Sequence, residues 1–211
     1  MKYLIAIPCM DQVPVQFMHS LLYLAKPDDT HVSIISGSLI YDSRNHALEQ
    51  AVLGGYDRLV WFDSDMTFPP DAMERMIEDL DSGHEIVSGL YFKRRPPYSV
   101  VLYKRLLIED QGEYKIPVND DYTDYPRDSL FQVDGFGFGC VMMSIEAVKR
   151  IMEKYGSRLF MPVAGFGEDL SFCIRAKHAG VDLWCDSRIK CGHIGYYAVQ
   201  EDNREALCST K

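Results

Sequence analysis

The chain has 211 residues, enough for one domain with a substantial buried core, and 47% of them are hydrophobic against 25% charged. With 22 basic and 31 acidic residues the net charge is -9. That balance argues against a dedicated nucleic-acid binder, and it means that an anionic ligand needs a local basic patch or a bound cation. The first apolar run stops before Asp11, and no later run approaches about 20 apolar residues. Neither a signal peptide nor a membrane span is expected, and the expected location is the cytoplasm. The cysteines (Cys9, Cys140, Cys173, Cys185, Cys191, Cys208) form no C-x-x-C pair and are expected to be reduced. Cys185, Cys191 and His193 do not match a common zinc spacing.

In chain order, residues 2–8 form a short apolar run stopped by proline, the pattern of a buried strand. Residues 13–24 place Phe17, Leu21, Leu22 and Leu24 at helical spacing. Residues 31–36 predict a second strand, and residues 43–53 a helix capped by Ser43 and stopped by Gly54-Gly55. A β-rich run over 58–62 ends in Asp63-Ser64-Asp65, and Pro69-Pro70-Asp71 opens a helix to about residue 80. Alternation of strand and helix predicts an α/β domain with a mostly parallel sheet flanked by helices.

The second half is less regular. Strands over 85–92 and 99–104 flank the basic turn Lys93-Arg94-Arg95-Pro96-Pro97. Residues 118–128 are acidic and without periodicity, which predicts a long loop. A glycine-interrupted strand over 131–144, a helix over 145–155 and a helix over 168–179 closed by Gly180 follow. Short strands over 181–185 and 189–193 complete the pattern, and the tail beyond Gln200 is expected to fray. No repeat or low-complexity linker divides the chain, so residues 1–211 are expected to form one domain.

Four segments carry candidate chemistry. If Asp63 and Asp65 lie on a strand, they project together while Ser64 points away, so the two carboxylates could hold a divalent cation against a diphosphate. The alternative is a solvated turn. Glu168 and Asp169 follow Gly165-Phe166-Gly167 at a helix start, where they either complement the helix dipole or supply a general base. His193 lies between Gly192 and Gly195 and is either a turn residue or a ligand suited, with carboxylates, to Mn²⁺. Residues 133–139 are glycine-rich but lack G-x-G-x-x-G spacing, so a dinucleotide site is rejected. Glycines such as Gly137 either let a flat ligand approach the backbone or mark a bulge.

Taken together, this order of segments resembles GT-A glycosyltransferases, especially the family 2-like enzymes. Ser43-Arg44-Asn45-His46-Ala47 also looks like that family's R-N-x-A segment. The resemblance implies a GT-A fold with a nucleotide-binding half over about residues 1–92. A smaller acceptor-side β region would lie within the acceptor and catalytic half, about residues 93–200. It implies transfer of a sugar from a nucleotide-sugar, UDP-sugar favoured, to an acceptor hydroxyl with inversion. The acceptor, whether glycan, lipid, protein or modified nucleobase, is left open. Mn²⁺ or Mg²⁺ would be held by Asp65 and His193, with Asp63 at the ribose or metal shell. Arg44, Ser64 and Gly137 complete the expected donor contacts. Asp169 would be the catalytic base, and Glu168 would place sugar or acceptor. Where many family members have a base-binding aspartate, this chain has Ser36-Gly37-Ser38. A sugar nucleotidyltransferase is disfavoured because residues 8–12 are neither glycine-rich nor basic. A non-catalytic nucleotide-sugar binder is disfavoured because the candidate metal residues are all present.

Overall fold

A computed structural model describes residues 1–112, 115–195, 200, 201 and 204. Most of the tail expected to fray, and Cys208, lie outside the described residues; the other five cysteines are free thiols.

The first part of the chain runs β1 (Tyr3–Cys9), α1 (Val15–Tyr23), β2 (Thr30–Ser36), α2 (Ile40–Leu53), β3 (Arg58–Phe62), β4 (Met66–Thr67), α3 (Ala72–Asp81) and β5 (Ile86–Leu90). The remainder runs β6 (Leu102–Asp110), β7 (Lys115–Asp121), β8 (Leu130–Val133), β9 (Gly135–Phe136), β10 (Cys140–Ser144), α4 (Ile145–Tyr155), α5 (Glu168–His178), β11 (Leu183–Lys190) and β12 (Gly192–His193). Seven strands make the central sheet in the order β2-β1-β3-β10-β5-β11-β8, with β10 and β8 running against the other five. β7-β6-β9 form a smaller antiparallel sheet. This is the expected α/β architecture.

Continuous apolar runs such as Leu59-Val60-Trp61-Phe62 arise because both faces of the sheet are covered. Leu59 and Trp61 pack in the cluster that holds α2, α4 and α5, while Val60 and Phe62 pack in the cluster with α1 and α3. α4 is coded locally: Ser144 accepts the Ala147 N–H at 3.2 Å, and Gly156 ends the helix at φ 74°.

Three local expectations are corrected. Ser43 does not cap α2, which starts at Ile40 without a side-chain cap; its Oγ, buried inside the first turns, instead meets Ser38 Oγ at 2.6 Å. The first part of the loop predicted over 118–128 belongs to β7, whose pairing with β6 overrides the weak strand preference of Pro117, Asn119 and Asp120. Pro117 is tolerated because β7 is an edge strand. The glycine-rich segment is not one strand but three pieces (β8, β9, β10) that join two different sheets.

Candidate active site

β3 ends at Phe62, so Asp63-Ser64-Asp65 is a turn rather than the end of a strand. The Asp63 N–H donates to the Gly139 carbonyl at 3.0 Å, and the Met66 N–H closes the turn on the Asp63 carbonyl at 3.0 Å. The expected alternation therefore fails, and Ser64 lines the same cleft as Asp63 and Asp65. Immediately after the turn, β4 pairs with β12, setting Met66 opposite His193. The Ile194 N–H donates to the Asp65 carbonyl at 2.7 Å, and His193 Nε2 comes to 3.3 Å from Asp65 Oδ2.

His193 Nδ1 lies 2.8 Å from the Phe92 carbonyl oxygen, which can only accept, so Nδ1 carries a proton. In the neutral ring Nε2 is then an acceptor aimed at a carboxylate oxygen. Two acceptors facing one another suit a shared cation, and the backbone bond at Nδ1 is the support that metal-binding histidines commonly have. Arg94 Nη1 now stands 2.5 Å from the same Oδ2. Against the cost of burial, His193 when its ring carries both protons, and Arg94 at all times, hold the Asp65 carboxyl below its usual range. Among the described residues no group of three or more His, Cys, Asp or Glu side chains gathers as a metal site.

Arg44 organises the other side. Its side chain is only 2% exposed, and its guanidinium carbon lies 5.5 Å from the Trp61 ring, 5.4 Å from Phe138 and 5.8 Å from Phe160. Nη2 donates to Asp63 Oδ2 at 3.0 Å, and Nε lies 3.6 Å from Glu168 Oε1. A group expected at the donor surface is thus a buried rivet between the end of β3 and the start of α5. Burial still outweighs Arg44 at Asp63 and pushes that carboxyl up, with Asp65 and Glu168 adding negative charge.

Asp169 sits in the first turn of α5, where its Oδ1 accepts the Leu170 N–H at 3.0 Å. Burial, followed by the charge of Glu168, pushes its carboxyl up to about 6, and Arg44 only partly opposes them. Desolvation exceeds the pull of the helix terminus, contrary to the simple dipole expectation. Tyr91 is a residue that the sequence did not single out. It is buried, its Oη accepts the Gly139 N–H at 3.1 Å, and its ring stands edge-on to His193 with centroids 5.6 Å apart. A Cβ at Gly137 would fall 2.1 Å from Tyr91 Oη and 3.3 Å from Asp169 Oδ2. Gly137 therefore makes room for Tyr91 beside Asp169.

A cleft of about 440 Å³ opens at the carboxyl ends of β1 and β3, lined by Pro8, Cys9, Met10, Ser38, Asp63 and Arg94 among others. This is where open α/β sheets bind ligands. Ser64 and Asp65 lie on its wall.

No protein-family model and no curated protein sequence matches the chain. The solved structures that resemble it include A197 from STIV, 20% identical with a TM-score of 0.67, covering 92% of this chain and 86% of that one. They also include GalNAc-T7, solved with UDP, GalNAc and Mn²⁺, 9% identical with a TM-score of 0.61. That alignment covers 94% of this chain and 44% of GalNAc-T7, so the chain spans less than half of that protein. At these identities the likeness is one of fold, and the fold is that of a GT-A glycosyltransferase.

Proposed function

We propose that the protein is a metal-dependent glycosyltransferase that moves a sugar from a nucleotide-sugar, UDP-sugar favoured, to an acceptor hydroxyl with inversion. The observation that carries this reading is the meeting of Asp65 Oδ2 and His193 Nε2, 3.3 Å apart, at the wall of the 440 Å³ cleft. The bound UDP, GalNAc and Mn²⁺ of GalNAc-T7, which has the same fold, support the choice of donor and metal.

The residues divide the work by position. Asp65 and His193 hold a divalent cation, with Asp63 at the metal shell or the donor ribose. When bound, that ion offsets the charge developing on the departing diphosphate. Ser38, Ser64 and the backbone around Cys9 and Met10 face the nucleotide in the cleft. Arg44 fixes Asp63 and orients Glu168. Asp169 takes the proton of the acceptor hydroxyl as its oxygen attacks the anomeric carbon. A carboxyl near 6 is mostly ionised at neutral pH yet basic enough to accept that proton. Tyr91 stands edge-on to His193 and, like Asp169, packs at Gly137.

The test is a panel of nucleotide-sugars with Mn²⁺, read by thermal stabilisation and by release of nucleoside diphosphate. One donor is expected to stabilise and turn over only with metal, and Asp65→Ala is expected to remove the effect. Undiminished turnover in excess chelator, or in Asp65→Ala, refutes the metal role.

A further inference from the structure

Asp65 Oδ2, which faces the acceptor Nε2 of His193 at 3.3 Å, has one claim on it besides any metal ion: Arg94 Nη1 at 2.5 Å. The oxygen that the proposed ion needs is already neutralised by a guanidinium that cannot lose its charge. From this competition we infer that Arg94 is a diphosphate-binding residue that rests on Asp65 as a brake on the metal site. The inference rests on the metal reading above.

The surroundings of Arg94 fit a side chain that changes partners. Its neighbour is pinned: the Lys93 N–H donates to the Ser99 carbonyl at 2.8 Å, and Lys93 Nζ pairs with Asp121 at 3.3 Å. Arg94 itself is 47% exposed and lines the nucleotide-sized cleft. Its guanidinium can therefore turn while the backbone beneath it stays put. A divalent cation arriving alone meets a positive charge on the oxygen it needs, and like charges at that range repel. A nucleoside diphosphate changes the balance, because its oxygens accept a guanidinium bidentately and also bind the cation. Arg94 then leaves Asp65 for the phosphates, and the carboxylate is released to the metal.

The consequence is a linkage between ligands. Metal without nucleotide binds weakly, nucleotide tightens metal, and by reciprocity metal tightens nucleotide by the same factor. Part of that coupling belongs to Arg94, since the rest comes from direct contact of the cation with phosphate. The arrangement keeps the Asp65 carboxylate paired when no donor is present, in a chain whose net charge is already -9.

The experiment measures Mn²⁺ affinity by electron paramagnetic resonance, with and without UDP, in the full chain. Four proteins are compared: wild type, Arg94→Gln, Arg94→Lys and Asp65→Ala. Arg94→Gln is expected to bind Mn²⁺ alone about tenfold more tightly than wild type, within the usual range of coupling between sites. It is also expected to bind UDP more weakly at saturating Mn²⁺, so the tightening by UDP shrinks. Arg94→Lys keeps the charge and is expected to stay close to wild type for Mn²⁺ alone. Because the Arg94 side chain is 47% exposed and does not belong to the buried core, loss of folding does not confuse the comparison. Equal Mn²⁺ affinity in wild type and Arg94→Gln, with binding abolished in Asp65→Ala, overturns the brake and leaves the metal assignment standing. Mn²⁺ binding that survives Asp65→Ala overturns the metal assignment and the brake together.

Discussion

Replacing Asp169 by asparagine is expected to stabilise the protein while removing its transfer activity. The carboxyl is raised from its ordinary 3.8 to about 6, chiefly by burial and then by Glu168. A folded-state value above the unfolded one means that ionising the group costs stability. The penalty is absent below the unfolded value and complete once pH has risen past about 6. A rise of that size corresponds to at most about 3 kcal/mol. Partial contact with solvent reduces this to roughly 1–2 kcal/mol, which for a chain of this size is a rise of about 3–6 °C in Tm. The asparagine side chain retains an Oδ1 to accept the Leu170 N–H, so the helix start should survive the change. Thermal unfolding at pH 7.5 and at pH 4.5 is the assay: the variant should melt higher at pH 7.5, and the gap should close at pH 4.5. Transfer should fall by about 10²–10⁴-fold, the usual cost of losing a general base. An equal or lower Tm at pH 7.5 would falsify the reasoning, for it would mean that the amides of α5 hold the carboxylate ionised at no cost.

Two other sites make independent predictions. Asp79 and Asp186, both almost fully buried, share Arg188, with Nη2 at 2.9 Å from Asp79 and Nε at 2.8 Å from Asp186. Burial and the charge of Asp186 push Asp79 up to about 6, so wild-type stability should decline as pH rises from about 4 through 6. Asp79→Asn should flatten that slope in urea unfolding, and an unchanged slope would assign it elsewhere. Gly137→Ala would place a methyl 2.1 Å from Tyr91 Oη and 2.8 Å from Val101 Cγ1. It should cost about 1–3 kcal/mol by overpacking, with Tyr91→Phe recovering part of the loss in a double-mutant cycle. Additive losses would show that Tyr91 is not what Gly137 accommodates.

Much of this architecture is legible in the sequence because its signals are local. The run Leu59-Val60-Trp61-Phe62 is apolar throughout because β3 is covered on both faces. Ser144 and Gly156 bound α4 where capping chemistry puts them. What stays hidden depends on partners distant in the chain. Asn119 and Asp120 disfavour a strand and become one only because β6 lies alongside. Ser43 has the chemistry of a cap, but Ser38 takes its hydroxyl and α2 begins earlier. Asp63-Ser64-Asp65 is visible as a motif, yet its shape as a turn is set by Gly139, 76 residues later (139 − 63). Tyr91 carries no signal of its own at the end of an apolar strand. Its place beside Gly137 and His193 exists only in three dimensions.

The two-residue ribbon of β4 and β12 joins positions 125 and 127 apart in sequence, Thr67 to Gly192 and Met66 to His193, and it is held by only those two residue pairs. So small a ribbon opens at far lower cost than the seven-stranded sheet beneath it. Asp65 and His193 can thus part company while every large element stays folded. Any ligand that bridges them works as a clasp, fastening the segment around His193 to the turn at Asp63-Ser64-Asp65. Occupancy of the site should therefore register as slower proteolysis near residues 190–195, a signal that needs neither an acceptor nor turnover.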